Sequence, residues 1–136
     1  MRSIQGILSR SFALTLALLS GSAAAEWSAV RPGNDIYAAY ADKATLRRDG
    51  GMARMSGLYD FRKQDFTPAG RGLYSTVVLR EYDCREPRVR LLSAIDFSAH
   101  MGEGAVVDTN RLPGRWEAVV AGGIDEAFWK IACGEN

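Results

Sequence analysis

Two cysteines occur in the 136-residue chain, and each stands at the end of a patterned segment. Cys84 closes residues 73–84 (LYSTVVLREYDC), the longest strand-like run, and Cys133 closes residues 124–133 (IDEAFWKIAC), which has helical spacing. An oxidised pair fastens the C-terminal segment to the end of the central strand. In an exported chain of this size two cysteines read as one disulfide. Closing the intervening loop contributes about 4 kcal/mol in the chain-entropy account, a large share of a typical net stability of roughly 5–15 kcal/mol. A catalytic thiol needs a thiolate-stabilising neighbour, and none is visible beside either cysteine.

Export is read from residues 1–25. Arg2 and Arg10 form a basic region, an apolar run spans residues 12–19, and Ala23, Ala24 and Ala25 give a small-residue cleavage site, which sets the expected mature start at Glu26. The apolar run is well short of the roughly 20 residues that span a bilayer, and no cysteine near the site offers a lipid attachment point. Cleavage leaves 111 residues, read as one domain, residues 26–136, with a single modest core. The signal carries two of the 17 Lys and Arg and none of the 16 Asp and Glu, so the mature formal charge is −1. That balance gives no electrostatic case for nucleic acid or an anionic membrane.

The mature chain reads as a succession of strands. Residues 27–30 suit an edge strand before a turn at Pro32 and Gly33, and residues 36–41 (IYAAYA) a second strand that its alanines weaken. Asp42 is expected to cap a single helical turn over residues 42–46 before a turn at residues 47–51. Residues 52–61 partly alternate and form a strand, with Met55, Gly57, Tyr59 and Phe61 on one face. The polar stretch 62–72, with Pro68, Gly70 and Gly72, is expected to be a mobile surface loop. Residues 73–84 then pair with residues 89–97 in a long antiparallel hairpin. At about 3.3 Å per residue the first of these strands is long enough to need a bend or bulge near one end. Residues 98–104 form a Gly-containing connection, and residues 105–109 and 116–120 are two further short strands.

After Gly122 and Gly123, residues 124–133 read as a helix. Asp125 and Glu126 lie in its first turn and Lys130 near its end, as the helix dipole favours, and Gly134 is placed to cap it. Helical phase sets a conflict. Ile124, Ala127, Phe128 and Ile131 make one stripe, and Cys133 falls nearly opposite Ile124. Either the last turn unwinds near Ala132, the expectation favoured here, or the buried face is centred on Phe128, Trp129 and Ala132.

Chemistry-bearing constellations are sparse. His100 has Asp96 and Glu103 near it in sequence, without the spacing of a structural or catalytic metal site, and reads as an exposed loop histidine. Glu81 and Asp83 share a strand face, yet read as partners for Arg80, Arg85, Arg88 and Arg90 rather than as a glycosidase pair. No nucleophile elbow, phosphate loop or dinucleotide fingerprint is present. Neither cofactor nor metal is expected, and the chain is read as no enzyme. The candidate partner-binding residues are Arg80, Tyr82, Arg85, Arg88 and Arg90, because Arg with Tyr is the composition favoured at binding surfaces. The bland reading of the same cluster is a charged strand edge that deters edge pairing.

Several features taken in order resemble the surface-adhesin protein E family of small exported bacterial proteins. They are Trp27 at the start, Tyr40-Ala41-Asp42 before a Leu-Arg-Arg-Asp-Gly turn, Glu81-Tyr82-Asp83-Cys84, the loop Met101-Gly102-Glu103-Gly104, Trp116, and a final helix ending at Cys133. The resemblance implies an α+β fold, a single antiparallel sheet of about six strands with a C-terminal helix packed on it and tied by a disulfide. It also implies a non-enzymatic, adhesion-like role, with a host matrix or plasma protein or another envelope protein as partner, and a homodimer. The sequence departs from the family's adhesin in lacking a lipid-attachment cysteine, so the expected location is the periplasm or the exterior and cell surface. The alternative function is a periplasmic small-ligand carrier or enzyme inhibitor.

Overall fold

Alternating residues and paired turn glycines give this chain one continuous antiparallel sheet. A computed structural model describes residues 25–111 and 113–134; most of the expected signal segment lies outside the described residues. The strands are β1 (Ser28–Val30), β2 (Tyr37–Asp49), β3 (Met52–Phe66), β4 (Gly72–Asp83), β5 (Arg88–Phe97), β6 (Val106–Asn110) and the two-residue β7 (Glu117–Ala118). The first six lie side by side in sequence order, and β7 pairs with the start of β5, so the expected strand 116–120 is cut to its middle pair. One helix, α1 (Ile124–Cys133), crosses one face of the sheet.

Two expectations for residues 42–72 are overturned. Residues 42–46 do not make a helical turn; they belong to β2, whose register against β3 shifts between Asp42 and Arg47. The capping bond foreseen for Asp42 does form, its Oδ1 accepting from Ala44 N at 3.1 Å, and its carbonyl also accepts from Thr45 Oγ1 at 2.6 Å. Thr45 Oγ1 in turn accepts from Ser56 N on β3 at 2.9 Å, which sews the irregular stretch into the sheet instead of a helix. Nor are residues 62–72 a loop throughout. β3 runs on to Phe66 and β4 begins at Gly72, leaving a tight connection in which Thr67 N donates to the Arg71 carbonyl at 2.8 Å. Its exposed polar side chains mimic a loop in the sequence, although the backbone remains paired, Asp65 opposite Leu73 and Phe66 opposite Gly72.

The hairpin of β4 and β5 forms as expected, with Tyr82 opposite Val89 and Val77 opposite Ile95. Its irregularity falls between Leu79 and Arg80, in mid-strand rather than near an end; a second shift, in the pairing with β3, lies near the start of β4.

The helix keeps its last turn. It is helical through Cys133, and Gly134, at φ 74°, closes it by donating its N–H to the Lys130 carbonyl. The favoured unwinding is therefore wrong, and the other solution of the phase conflict holds: Phe128, Trp129 and Ala132 are the buried positions. Cys133 lies one helical turn beyond Trp129, about 40° away around the axis, so both reach the end of β4 without distortion. Cys84 and Cys133 are disulfide-bonded with their Cα atoms 5.5 Å apart.

Small strand residues admit the helix. Ala39, Ala41, Ala53 and Gly57 lie beneath it with Met55, Tyr82 and Val89. A Cβ on Gly57 would stand 3.1 Å from the Phe128 ring. The alanines that weaken residues 36–41 as a strand are thus what lets bulky helix side chains approach the sheet. Arg48, at the end of β2, donates from Nε to the Ala132 carbonyl at 2.8 Å and covers the helix C-terminus with a positive charge.

The opposite face is covered at one end by residues 98–104, which include a short 3-10 turn, His100–Gly102. Ser75, fully buried, donates from Oγ to the Ala99 carbonyl at 2.6 Å and accepts from Gly102 N at 2.9 Å. Leu58 and Leu73 are buried on this side as well.

Candidate functional site

At the other end of the helix-free face the strand register brings charges of both signs into rows. Arg54 on β3, Glu81 on β4 and Arg90 on β5 stand opposite one another, and one step along the strands Asp83 stands opposite Arg88. Because side chains alternate, these project away from α1, which lies over the face bearing Tyr82 and Val78. Glu81 accepts from Arg54 Nε at 2.9 Å on one carboxylate oxygen, and from Arg90 Nε at 2.9 Å and Nη2 at 2.7 Å on the other. Asp83 accepts from Arg88 Nε at 2.9 Å, while its second oxygen takes the backbone amides of Arg85 and Glu86 at 3.0 and 3.2 Å.

Both acids are held as carboxylates. Burial works to raise the pKa of Glu81, but the hydrogen bonds from Arg54 and Arg90 outweigh it and keep the value below the usual range. The amides of Arg85 and Glu86, followed by Arg88, pull Asp83 below its ordinary value. These acids therefore act as counter-ions fixed inside the arginine array, with no proton to exchange at neutral pH.

Trp116 completes the group. The guanidinium carbons of Arg88 and Arg90 lie 4.5 and 4.7 Å from the centroid of its ring. The segment that delivers it runs along the edge of β5, where Gly114 N donates to the Leu91 carbonyl at 2.7 Å and Val119 N to the Pro87 carbonyl at 2.9 Å. An open cleft of about 330 Å³ adjoins the array, lined in part by Arg80, Arg90, Arg115 and Glu117. A second, of about 410 Å³, is lined in part by Arg47, Arg54 and Glu81.

The five residues singled out in the sequence do not form one patch. Arg88 and Arg90 lie together in the array. Arg85 is exposed in the following turn, its side chain lying over Gly51, where a Cβ would meet Arg85 Nε at 2.6 Å. Arg80 lies on the helix face, where its Nη1 donates to Tyr59 Oη at 2.6 Å and to Asp125 at 3.0 Å, so its charge ties α1 to the sheet. Tyr82 is 1% exposed and belongs to the core beneath α1; strand alternation places it on the side opposite Arg88 and Arg90. Burial pushes its phenol pKa up. Arg54 and Trp116 were not foreseen as members, since their partners lie on other strands. A signal existed in the pairs 81/83 and 88/90, whose two-residue spacing puts opposite charges on one face of a hairpin.

His100 lies elsewhere. Its Nδ1 is 3.1 Å from Asp60, which also accepts from Met101 N at 2.9 Å, and its ring packs 4.6 Å from that of Tyr74. The Asp96 carboxylate is instead bonded by Thr76 Oγ1, and Glu103 meets His100 only through the backbone, its N–H donating to the His100 carbonyl at 3.2 Å. Among the described residues no group of three or more His, Cys, Asp or Glu is placed to hold a metal ion, and no helix is long and apolar enough to cross a membrane.

The family model and the solved structures point to the same family. The family model for surface-adhesin protein E matches residues 27–134. Among solved structures, crystal form II of Haemophilus influenzae protein E is similar with a TM-score of 0.66 at 11% identity, over 79% of this chain and 87% of that one. Another structure of Haemophilus influenzae protein E gives 0.65 at 11% identity, over 79% and 83%. Protein E from non-typeable Haemophilus influenzae gives 0.60 at 12% identity, over 78% and 75%. At such identities the likeness is one of fold, and the single sheet, C-terminal helix and disulfide expected from the sequence match it. No curated protein sequence matches the chain.

Proposed function

The chain belongs to the surface-adhesin protein E family, and from that premise we propose that it is an exported, non-catalytic envelope protein whose work is to bind another protein. The observation that carries this reading is the family match over residues 27–134. The chemistry of the site supports it. Glu81 and Asp83, the acid pair that the sequence offers for a glycosidase-like role, are both committed to arginines and amides, and Arg80 is spent on joining helix to sheet. What faces solvent is guanidinium and indole, residue types that dominate protein-binding surfaces. Open, arginine-lined clefts fit a contact surface better than the enclosed apolar cavity of a small-ligand carrier. The partner is a host matrix or plasma protein, or another envelope protein.

The test combines location with binding. Cells expressing the protein are fractionated and treated with protease from outside, and the purified protein is applied to immobilised matrix and plasma proteins. Cell-surface exposure with saturable capture supports the adhesion reading. Confinement to the periplasm removes direct adhesion to a host and leaves an envelope partner; failure to bind any protein in either compartment sinks the binding-module reading.

A further inference from the structure

We propose that the helix-free end of the sheet, with Arg54, Arg88, Arg90 and Trp116, is the contact surface, and that it takes an acidic, carboxylate-bearing peptide segment of its protein partner. The inference rests on the binding-module reading and deepens it. Its ground is an asymmetry between buried and exposed charge. The side chain of Glu81 is 8% exposed and so is that of Asp83, whereas those of Arg54, Arg88 and Arg90 are 57%, 37% and 31% exposed. An approaching molecule therefore meets the guanidinium groups and not the carboxylates that fix them.

The fixing has a chemical consequence. Arg54 and Arg88 are each held to their carboxylate through Nε alone, and Arg90 through Nε and Nη2. The two terminal nitrogens of Arg54 and of Arg88 remain available as a planar fork, the geometry that grips a carboxylate with two parallel hydrogen bonds, and Arg90 keeps its Nη1 for a single one. Trp116, close against both Arg88 and Arg90, limits their rotamers and provides a flat apolar surface between them, so less freedom is lost on binding.

Charge counting favours a peptide over a sulfated polysaccharide. With the two internal acids included, the array carries a net charge of only +1, and the mature chain as read from the sequence is at −1. A uniformly charged polyanion would lie across Glu86 and Glu117 too, both exposed nearby. A peptide with a few spaced carboxylates and apolar side chains for Trp116 meets the forks and avoids those acids.

The experiment uses the exported, disulfide-bonded protein and a short glutamate-rich peptide as probe, with a heparin oligosaccharide as competitor. NMR follows the Trp116 indole and the arginine Nε–H signals. The expected result is movement of the Trp116, Arg54, Arg88 and Arg90 signals, with affinity about tenfold weaker in Trp116→Ala and in the double variant R88K/R90K. The lysine variant keeps the charges beside Glu81 and Asp83, so it tests the fork without stripping the acids of partners; an unchanged melting temperature confirms that it is folded. Signals that stay in place, lysine binding as well as arginine, or heparin binding more tightly than the peptide each overturn the proposal. Matrix- and plasma-protein capture is measured on the same variants. Equal capture by wild type and Trp116→Ala overturns this surface and leaves the binding-module reading standing.

Discussion

The indole Nε1 of Trp129 donates to the carbonyl oxygen of Asp83 at 2.8 Å, one residue before the cysteine that Cys133 binds covalently. Helix and strand are thus joined twice at adjacent residues, once by a buried hydrogen bond and once by a disulfide. The Asp83 side chain meanwhile holds Arg88 in the arginine array, so the same residue serves the helix through its backbone and the array through its carboxylate.

Replacing Trp129 with Phe keeps much of the apolar volume and strands the Asp83 carbonyl. The expected loss is about 1–3 kcal/mol, the cost of a buried polar group left without a partner. Chemical denaturation of the oxidised protein measures it. A loss below about 0.5 kcal/mol would mean that water or a rearranged partner replaces the indole.

Arg48→Ala removes the cation and the donor from the end of α1. A destabilisation of about 0.5–2 kcal/mol is expected, with faster amide exchange in the last helical turn. Combined with Cys84→Ser and Cys133→Ser, the effect should exceed the sum of the separate losses, because all three groups hold one corner. Additivity within experimental error would contradict that coupling.

Gly57→Val places a branched side chain where the Phe128 ring lies. Since even a Cβ there stands 3.1 Å from the ring, the helix must lift or Phe128 must leave its rotamer, at a cost of about 1–3 kcal/mol. The variant should bind a hydrophobic dye under conditions where the wild type does not. Wild-type stability in this variant would show that α1 moves freely on the sheet.

Acid should weaken the fold through the array. The pKa values of Glu81 and Asp83 are both lowered in the folded protein, so their contribution is complete above the unfolded values, near pH 4, and is lost as pH falls through the lower folded values. Denaturation midpoints measured downward from neutral pH should fall steeply below about pH 4. Glu81→Gln should start less stable at pH 7 and show a shallower acid limb; an unaltered slope would remove Glu81 from the account.

The hairpin of β4 and β5, the start of α1 and Gly134 as its cap, and the disulfide were legible because each rests on local pattern or on the scarcity of cysteine. Residues 62–66 were missed for a definable reason. Their side chains are all exposed, so the alternation that betrays a half-buried strand is absent, although the backbone pairs. The buried face of α1 was misjudged because the apolar stripe beginning at Ile124 competes with the face set by Cys133, and only contact with Ala39, Ala41 and Gly57 decides between them. Four of the six residues of the candidate site were visible in the spacing of Glu81, Asp83, Arg88 and Arg90. Arg54 joins it from β3, 27 residues before Glu81, and Trp116 from the irregular segment just before β7, across the β5 edge, and a single sequence carries no record of such pairings.

The bond between Cys84 and Cys133 closes residues 84–133 into a covalent ring that contains β5, β6, β7 and α1, with β1 to β4 as a linear arm leading into it. A protease cut in the two parts has different results. A nick within residues 98–104 leaves a single molecule of full mass until a reductant is added, whereas a nick in the turn at residues 67–71 leaves only non-covalent contacts between β3 and β4. In an oxidising compartment rich in proteases, the half of the molecule carrying Arg88, Arg90 and Trp116 therefore survives a cut in its own connections as one piece, while Arg54 depends on the integrity of the arm.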